Sequence, residues 1–148
     1  MPKIDDIRLI SLRFSFDPRD AYGMARGLTS SRQAGLIRLT LDDGTVGYGE
    51  AWGPPSVTGA YLELVQDYFI GLDVFAHEHA VHLIFSRHYH FGIQNQLCAL
   101  ISGIDCAARD AAARHLGIPL HALLGGAVED SVVVYASGGY ITQQADDD

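Results

Sequence analysis

The sequence predicts an α+β domain in which a three-stranded antiparallel meander comes first and a bundle of helices follows. In the first third of the chain, apolar residues alternate with polar ones, which is the period of a half-buried strand. In the next part they recur with the period of an amphipathic α-helix. Strands grouped before helices indicate an α+β domain rather than an alternating α/β one.

Three strands are predicted in the meander. The first covers residues 7–16, where one face carries the apolar residues Ile10, Leu12, Phe14 and Phe16. The second covers residues 35–41, with Ile37, Leu39 and Leu41 predicted to point inward. Asp42-Asp43-Gly44-Thr45 predicts a hairpin turn, and residues 46–50 return as the third strand. Residues 17–34 interrupt the alternation and predict a long surface loop, a kind of segment that is often functional.

Three helices are predicted next. The first lies between Pro54-Pro55 and Gly71, and its apolar stripe consists of Val57, Ala60, Tyr61, Leu64, Val65, Tyr68 and Phe69. The second runs from an Asp73 N-cap to about His90. The third runs from about Asn95 to Leu116 and ends at Gly117 and Pro119.

A continuous apolar run near the end, residues 132–136, predicts a strand that is buried on both faces, as in a parallel sheet. Such a strand needs neighbours, and the meander does not provide parallel ones. We therefore expect the sequence to be truncated or to depend on a partner.

Composition and charge exclude several function classes. The net charge is −8 and no basic stripe is present, so nucleic acid is not an expected partner. No apolar run reaches the length of a membrane span, and the first residues contain no signal-peptide core. Cys98 and Cys106 lie on one predicted helix, about 12 Å apart, which is too far for a disulfide. We expect them to be reduced, buried small residues of a cytoplasmic protein.

Three segments, in this order, resemble one known family. They are the hairpin of residues 39–51 with its G-x-G-E ending, the helix of residues 99–110, and the G-x-P-L-x-x-L-L-G-G linker of residues 117–126. They resemble the N-terminal capping domain of the enolase superfamily, of the mandelate racemase/muconate lactonizing enzyme type. The resemblance implies a capping domain over residues 1–126. It also implies that residues 127–148 form a linker and the first strand of a (β/α)₈ barrel, whose remainder is missing from this sequence.

The family's mechanism implies a magnesium-dependent isomerase or lyase, either a racemase or an acid-sugar dehydratase. In such enzymes a barrel lysine or histidine removes a proton α to a carboxylate, and magnesium stabilises the enediolate. These groups belong to the barrel, so no catalytic residue and no metal ligand is assigned here, and the 148-residue chain alone is expected to be inactive. The resemblance also implies a small carboxylate substrate, a barrel domain as partner and a homo-oligomeric enzyme.

Two loops of the family's capping domain fold over the barrel mouth, and they match residues 17–34 and the segment after Glu50. The candidate substrate-capping residues are Tyr22, Met24 and Arg26 in the first loop and Trp52 in the second. A lid of this kind excludes water, and an arginine can hold an acid substrate with two hydrogen bonds. The alternative is that all four are ordinary surface residues.

A group of histidines invites a metal interpretation, which we weigh against a solvated helix face or an oligomer contact. These residues are His77, His79, His82, His88 and His90, and their spacing provides no clear third ligand. Gly47 and Gly49 are explained by close strand packing better than by a nucleotide loop. Asp105 and Asp110 are predicted to form pairs across helices.

A second hypothesis for the whole chain is a complete, non-catalytic binding or assembly module.

Overall fold

The computed structural model describes residues 1–91 and 94–142. In that part of the chain the strands are β1 (Ile4–Ser15), β2 (Tyr22–Met24), β3 (Gly27–Thr29), β4 (Ser31–Leu41), β5 (Val46–Ala51) and β6 (Ile141–Thr142). The α-helices are α1 (Pro55–Val65), α2 (Glu78–Arg87), α3 (Gln96–His115) and α4 (Leu120–Leu123). The chain divides into unit 1, residues 1–12 and 34–127, and unit 2, residues 13–33 and those after 127. The α+β class is therefore confirmed.

The predicted meander is present, with strands in the order β1-β4-β5. Strands β4 and β5 pair antiparallel from Gly35 opposite Ala51 to Thr40 opposite Val46. At the turn, Gly44 has a φ of 85° and its N–H donates to the carbonyl of Leu41 at 2.9 Å, which confirms the hairpin.

The inward face was predicted correctly for one strand and wrongly for another. Ile37, Leu39 and Leu41 are buried as expected. In β1, however, Ile10, Leu12 and Phe14 are exposed, whereas Ile4 and Ile7 belong to the core and Leu9 packs against it. Period two identifies a strand but does not say which of its faces the helices cover, and here Ile7 and Leu9, on the face opposite to Ile10, meet the core.

The three predicted helices are present, but the buried face of α1 and the first residue of α2 differ from the prediction. In α1 the buried positions are Pro55, Thr58, Leu62 and Val65, so the apolar stripe is rotated from the prediction, and Val57 and Leu64 are exposed. Asp73 caps a short 3₁₀ turn, residues 74–76, ahead of α2. Asn95 caps α3, and its Oδ1 accepts from the N–H of Leu97 at 2.9 Å. Gly117 follows α3 with a φ of 68°, as predicted.

Helix α3 packs directly against β5, and two glycines permit this contact. A Cβ placed on Gly47 would lie 2.1 Å from the carbonyl oxygen of Ala107, and one on Gly49 would lie 2.1 Å from that of Gly103. The interpretation of these glycines as close-packing residues is therefore confirmed. Asp110 joins the same two elements, since its Oδ2 accepts from the N–H of Tyr48 at 2.9 Å and from Nε of Arg114 at 2.9 Å. Its predicted pairing with another helix is wrong.

Unit 2 departs from the sequence-based prediction at two places. Residues 17–34 are not simply a loop, because they contain a 3₁₀ turn (Pro18–Asp20) and the hairpin β2–β3. The predicted strand over residues 132–136 is wrong, since these residues carry no strand pairing and Val132 to Tyr135 are exposed. A doubly buried strand needs a neighbour on each side, and the described residues provide none there. Instead β6 pairs with β2, with Gly23 opposite Ile141.

Two further expectations concern the cysteines and membrane spans. Both cysteines are free, but Cys106 is exposed and only Cys98 is partly buried, so the prediction of two buried residues is wrong for Cys106. Among the helices that the structure describes, none combines the length and the apolar character needed to cross a bilayer.

Candidate functional site

The tip of the β2–β3 hairpin presents Arg26. The strands pair with Met24 opposite Gly27, so Ala25 and Arg26 form a two-residue turn. Gly27 has a φ of 130°, which a side chain would disfavour. A Cβ on Gly23 would lie 2.1 Å from the carbonyl oxygen of Gly27. The glycines thus make a tight hairpin that places Arg26 at its end.

Four aromatic rings contact one another in a row beside this hairpin. The ring centroids of Phe14 and Phe16, of Phe16 and Tyr22, and of Tyr22 and Tyr140 are each 5.3 Å apart. The first two pairs are T-shaped, at 78°. Edge-to-face contacts of this kind contribute about 0.5–1.5 kcal/mol per pair beyond area burial. They fix the position of the Tyr22 ring, which was predicted to contact substrate.

A second arginine, which the sequence did not identify as a candidate, joins the site. Arg32 donates from Nε to the hydroxyl of Tyr22, and its guanidinium carbon lies 5.5 Å from the centroid of that ring. Arg32 became visible only through the fold, because the hairpin between residues 22 and 29 brings the chain back beside Tyr22. Tyr140 was missed because only the pairing of β6 with β2 brings it to Tyr22.

These residues line a pocket of about 530 Å³ within unit 2. Three of the four predicted capping residues, Tyr22, Met24 and Arg26, share this lining with Arg32. As far as the described residues show, the lining holds two arginines and no carboxylate. A cationic pocket with aromatic walls is suited to a small acid, which an arginine can hold through two parallel hydrogen bonds.

Trp52 belongs to unit 1 and follows β5. Its side chain is 80% exposed. Its backbone is held, because the carbonyl of Trp52 accepts from Nε2 of Gln96 at the start of α3. The same nitrogen donates to Oγ1 of Thr58 at 3.2 Å. A residue with a fixed backbone and an exposed indole ring is well placed to contact a molecule or domain that does not belong to unit 1.

The histidines of residues 77–90 have separate environments. His77 is buried and its Nε2 lies 2.7 Å from Oδ1 of Asp105, so it does not belong to a solvated face. His79 and His82 are exposed on α2. His88 lies 3.3 Å from the hydroxyl of Tyr68. In residues 1–91 and 94–142, no three side chains of His, Cys, Asp or Glu are grouped as a metal site would require.

Asp105 and its neighbours form the most connected ionic group that the structure describes in unit 1. Arg109 donates from Nε to both Asp105 oxygens at 3.1 Å and from Nη2 to Glu78 at 2.6 Å. Burial raises the pKa of the Asp105 carboxyl, but hydrogen bonds from Arg109 and His77 outweigh it and lower the pKa overall. Hydrogen bonds from the Asp105 and Glu78 carboxylates raise the pKa of Arg109. The prediction that Asp105 pairs across helices is confirmed, because its partner His77 is the N-cap residue of α2.

Comparisons with known proteins agree on one family. A sequence profile described as "Mandelate racemase / muconate lactonizing enzyme, N-terminal domain" matches residues 11–125. The chain is 32% identical over 111 residues to D-galactarolactone cycloisomerase of Agrobacterium fabrum, covering 75% of this chain and 29% of that protein. It is 34% identical over 107 residues to D-gluconate dehydratase of Thermoproteus tenax, covering 71% and 22%.

A solved structure gives the same result for the fold. An enolase-superfamily protein from Polaromonas sp. JS666 matches with a TM-score of 0.70 and 27% identity, over 84% of this chain and 34% of that chain. The aligned part of the chain thus spans between 22% and 29% of the length of the two curated relatives.

Proposed function

Because the chain belongs to the mandelate racemase/muconate lactonizing enzyme family, as its N-terminal domain, we propose that it caps the active site of an acid-sugar dehydratase or a racemase. The observation that supports this most is the pocket beside the hairpin, which combines Arg26 and Arg32 with the ring of Tyr22. The two curated relatives are named for reactions on a sugar-acid lactone and on a sugar acid. A carboxylate substrate and a pocket lined by two guanidinium groups are complementary in charge.

The capping residues would act by binding, orienting and excluding water. Arg26 would hold the substrate carboxylate from the tip of the hairpin. Arg32 and Tyr22, which are hydrogen-bonded to each other, would form the adjacent wall of the pocket. Met24 would cover the substrate with apolar surface, and a water-excluded site strengthens every charge interaction within it. Trp52, in unit 1, is proposed separately as a capping residue. Magnesium, when bound in such enzymes, stabilises the enediolate formed by proton abstraction. The described residues offer it no cluster of ligands, so no step of this chain is assigned to the metal.

Several properties of the whole protein follow as parts of the proposal. The capping domain would end near residue 126, and residues 127–148 would lead into a barrel. The enzyme would be a cytoplasmic homo-oligomer with magnesium in the barrel. The 148-residue chain alone would have no dehydratase or racemase activity, because the base would come from the barrel.

An arginine substitution in the native full-length enzyme tests the capping role. We expect Arg26→Ala to lower kcat/KM on sugar acids such as D-gluconate by about tenfold or more, the equivalent of one charge-assisted hydrogen bond. Arg19→Ala is the matched control, because Arg19 is an exposed arginine of the same unit that pairs with Asp17 and does not line the pocket. Equal kcat/KM values for the two variants would contradict the proposal.

A second candidate is a non-catalytic binding or assembly module, which the exposure of Val132 to Tyr135 favours. The intact mass of the native product distinguishes the two. A product longer by roughly 250 residues, the size of a barrel, agrees with the capping role. A native product of 148 residues supports the module. Racemase or dehydratase activity in the 148-residue chain would contradict the expectation of inactivity.

A further inference from the structure

His77 is a buried histidine whose two ring nitrogens both face acceptors. Only 4% of its surface is exposed. Its Nδ1 lies 2.6 Å from the carbonyl oxygen of Val74, and its Nε2 lies 2.7 Å from Oδ1 of Asp105. A carbonyl has no proton to donate. The Asp105 carboxylate has none either when it is ionised, which the two hydrogen bonds from Arg109 favour.

A neutral imidazole cannot satisfy both contacts. It carries one N–H, so one ring nitrogen would direct a lone pair at an oxygen lone pair less than 3 Å away in a buried site. Turning the ring over would not help, because it would remove both nitrogens from their acceptors. We propose that His77 is held as a doubly protonated imidazolium that clamps the 74–76 turn and the start of α2 onto α3.

The charges around the ring agree with this assignment. From α3 the ring faces Asp105 and, through it, Arg109, while α2 contributes Glu78. Two carboxylates therefore share one guanidinium, and the group has an uncompensated negative charge unless His77 is positive. Other titratable residues of these elements are Asp73, which caps the turn, Lys3, whose backbone forms a β-bridge with that of Asp73, and His82, which lines a groove with Asp105 and Arg109.

The clamp depends on pH in a definite direction. The imidazolium form donates both hydrogen bonds, so its stabilisation is present at low and neutral pH. As the pH rises and the ring loses one proton, either the Val74 contact or the Asp105 contact becomes repulsive. The turn and the first residues of α2 are then released from α3, whereas the β4–β5 pairing is unaffected. The structure thus assigns to His77 a local opening that alkaline conditions promote.

Ring-nitrogen NMR of the ¹⁵N-labelled protein tests the assignment directly. At about pH 7, where an ordinary histidine is mostly neutral, both nitrogens of His77 are expected to show a bonded hydrogen. The exposed His79 on α2 serves as the internal comparison. Loss of the signals in His77→Gln identifies them. One nitrogen of His77 without a hydrogen at this pH would overturn the proposal.

An Asp105→Asn substitution separates the charged clamp from a merely structural contact. It removes the negative partner with little change in shape, so His77 is expected to lose its second ring hydrogen at about pH 7. The unfolding equilibrium constant is expected to rise by about tenfold or more, the effect of losing a hydrogen bond to a charged group. Asp67→Asn, at an exposed position, is the control and should change neither readout. A destabilised Asp105→Asn protein that retains both ring hydrogens would contradict the clamp.

Discussion

The two units differ in what holds them together. Unit 1 contains a helix packed directly on a strand, where Gly47 and Gly49 leave no room for a side chain between β5 and α3. Unit 2 is a short hairpin supported by a row of aromatic edges, with the ring of Tyr22 at its centre. A close-packed interior responds to a single added methyl group, whereas a hairpin on aromatic supports can open locally.

This difference agrees with the proposal that the hairpin of unit 2 acts as a lid. A lid must open and close, so it belongs in the part of the molecule with low local stability. The residues proposed to hold the substrate lie in unit 2, and the backbone anchor of Trp52 lies in unit 1. The comparison therefore predicts a large global response to change in unit 1 and a local response to change in unit 2.

The largest effect is expected from Gly49→Ala. Its Cβ would meet the backbone oxygen of Gly103 at 2.1 Å, and a helix backbone cannot yield as a flexible side chain can. We expect a loss of more than about 3 kcal/mol in the free energy of unfolding, measured by urea denaturation. Gly59→Ala is the matched control in α1, where the nearest atom lies 3.6 Å from the added Cβ. It should gain about 0.5–1 kcal/mol from helix propensity. Similar midpoints for both variants would show that the α3–β5 contact does not limit stability.

A smaller, local effect is expected from Tyr22→Ala. The change removes two aromatic contacts and the partner of Arg32, so the hairpin should lose about 1–2 kcal/mol of local stability. Hydrogen exchange of the β2 and β3 amides should accelerate about tenfold, while the β5 amides keep their rates. Tyr89→Ala, an exposed tyrosine of unit 1, should leave the hairpin rates unchanged. Equal acceleration of β5 would mean that the two regions open together.

Much of unit 1 could be predicted from the sequence because its signals are local. Asp42-Asp43-Gly44-Thr45 fixes a turn through its own backbone, and Asn95 and Gly117 mark the ends of α3 by capping chemistry. The covered face of β1 could not be predicted, because both of its faces carry apolar residues and only tertiary packing selects one. The rotated stripe of α1 has the same cause.

The candidate site was only partly accessible from the sequence. Tyr22, Met24 and Arg26 were identified through the family's loop, and the structure brings them to one pocket. Their role in binding stays a prediction, as does that of Trp52. Arg32 and Tyr140 are distant from Tyr22 in sequence, so only the hairpin and its pairing with β6 bring them to it. The ionic group of His77, Asp105 and Arg109 was likewise hidden, because its members come from different elements.

The smallest effect is expected for two exposed carboxylates, Asp43 and Asp17, whose pKa values are both lowered. The pKa of Asp43 is lowered, first by the backbone and side chain of Thr45 and then by the hydrogen bond from His115, which lies 2.6 Å away across the fold. The pKa of Asp17 is lowered by the N–H and side chain of its near neighbour Arg19. A lowered folded-state pKa contributes stability above the unfolded value of about 3.9, and that contribution is lost as the pH falls through the folded pKa.

Because the tie of Asp43 to His115 requires the folded unit 1, Asp43→Asn should flatten the loss of thermal stability on acidification below about pH 4. The contacts of Asp17 are local and can persist in the unfolded chain, so Asp17→Asn should leave that slope close to wild type. Melting temperatures recorded from acid to neutral pH give the comparison. Equal slopes of melting temperature against pH for the two variants would mean that Asp43 stabilises only its own turn and that its contact with His115 contributes nothing.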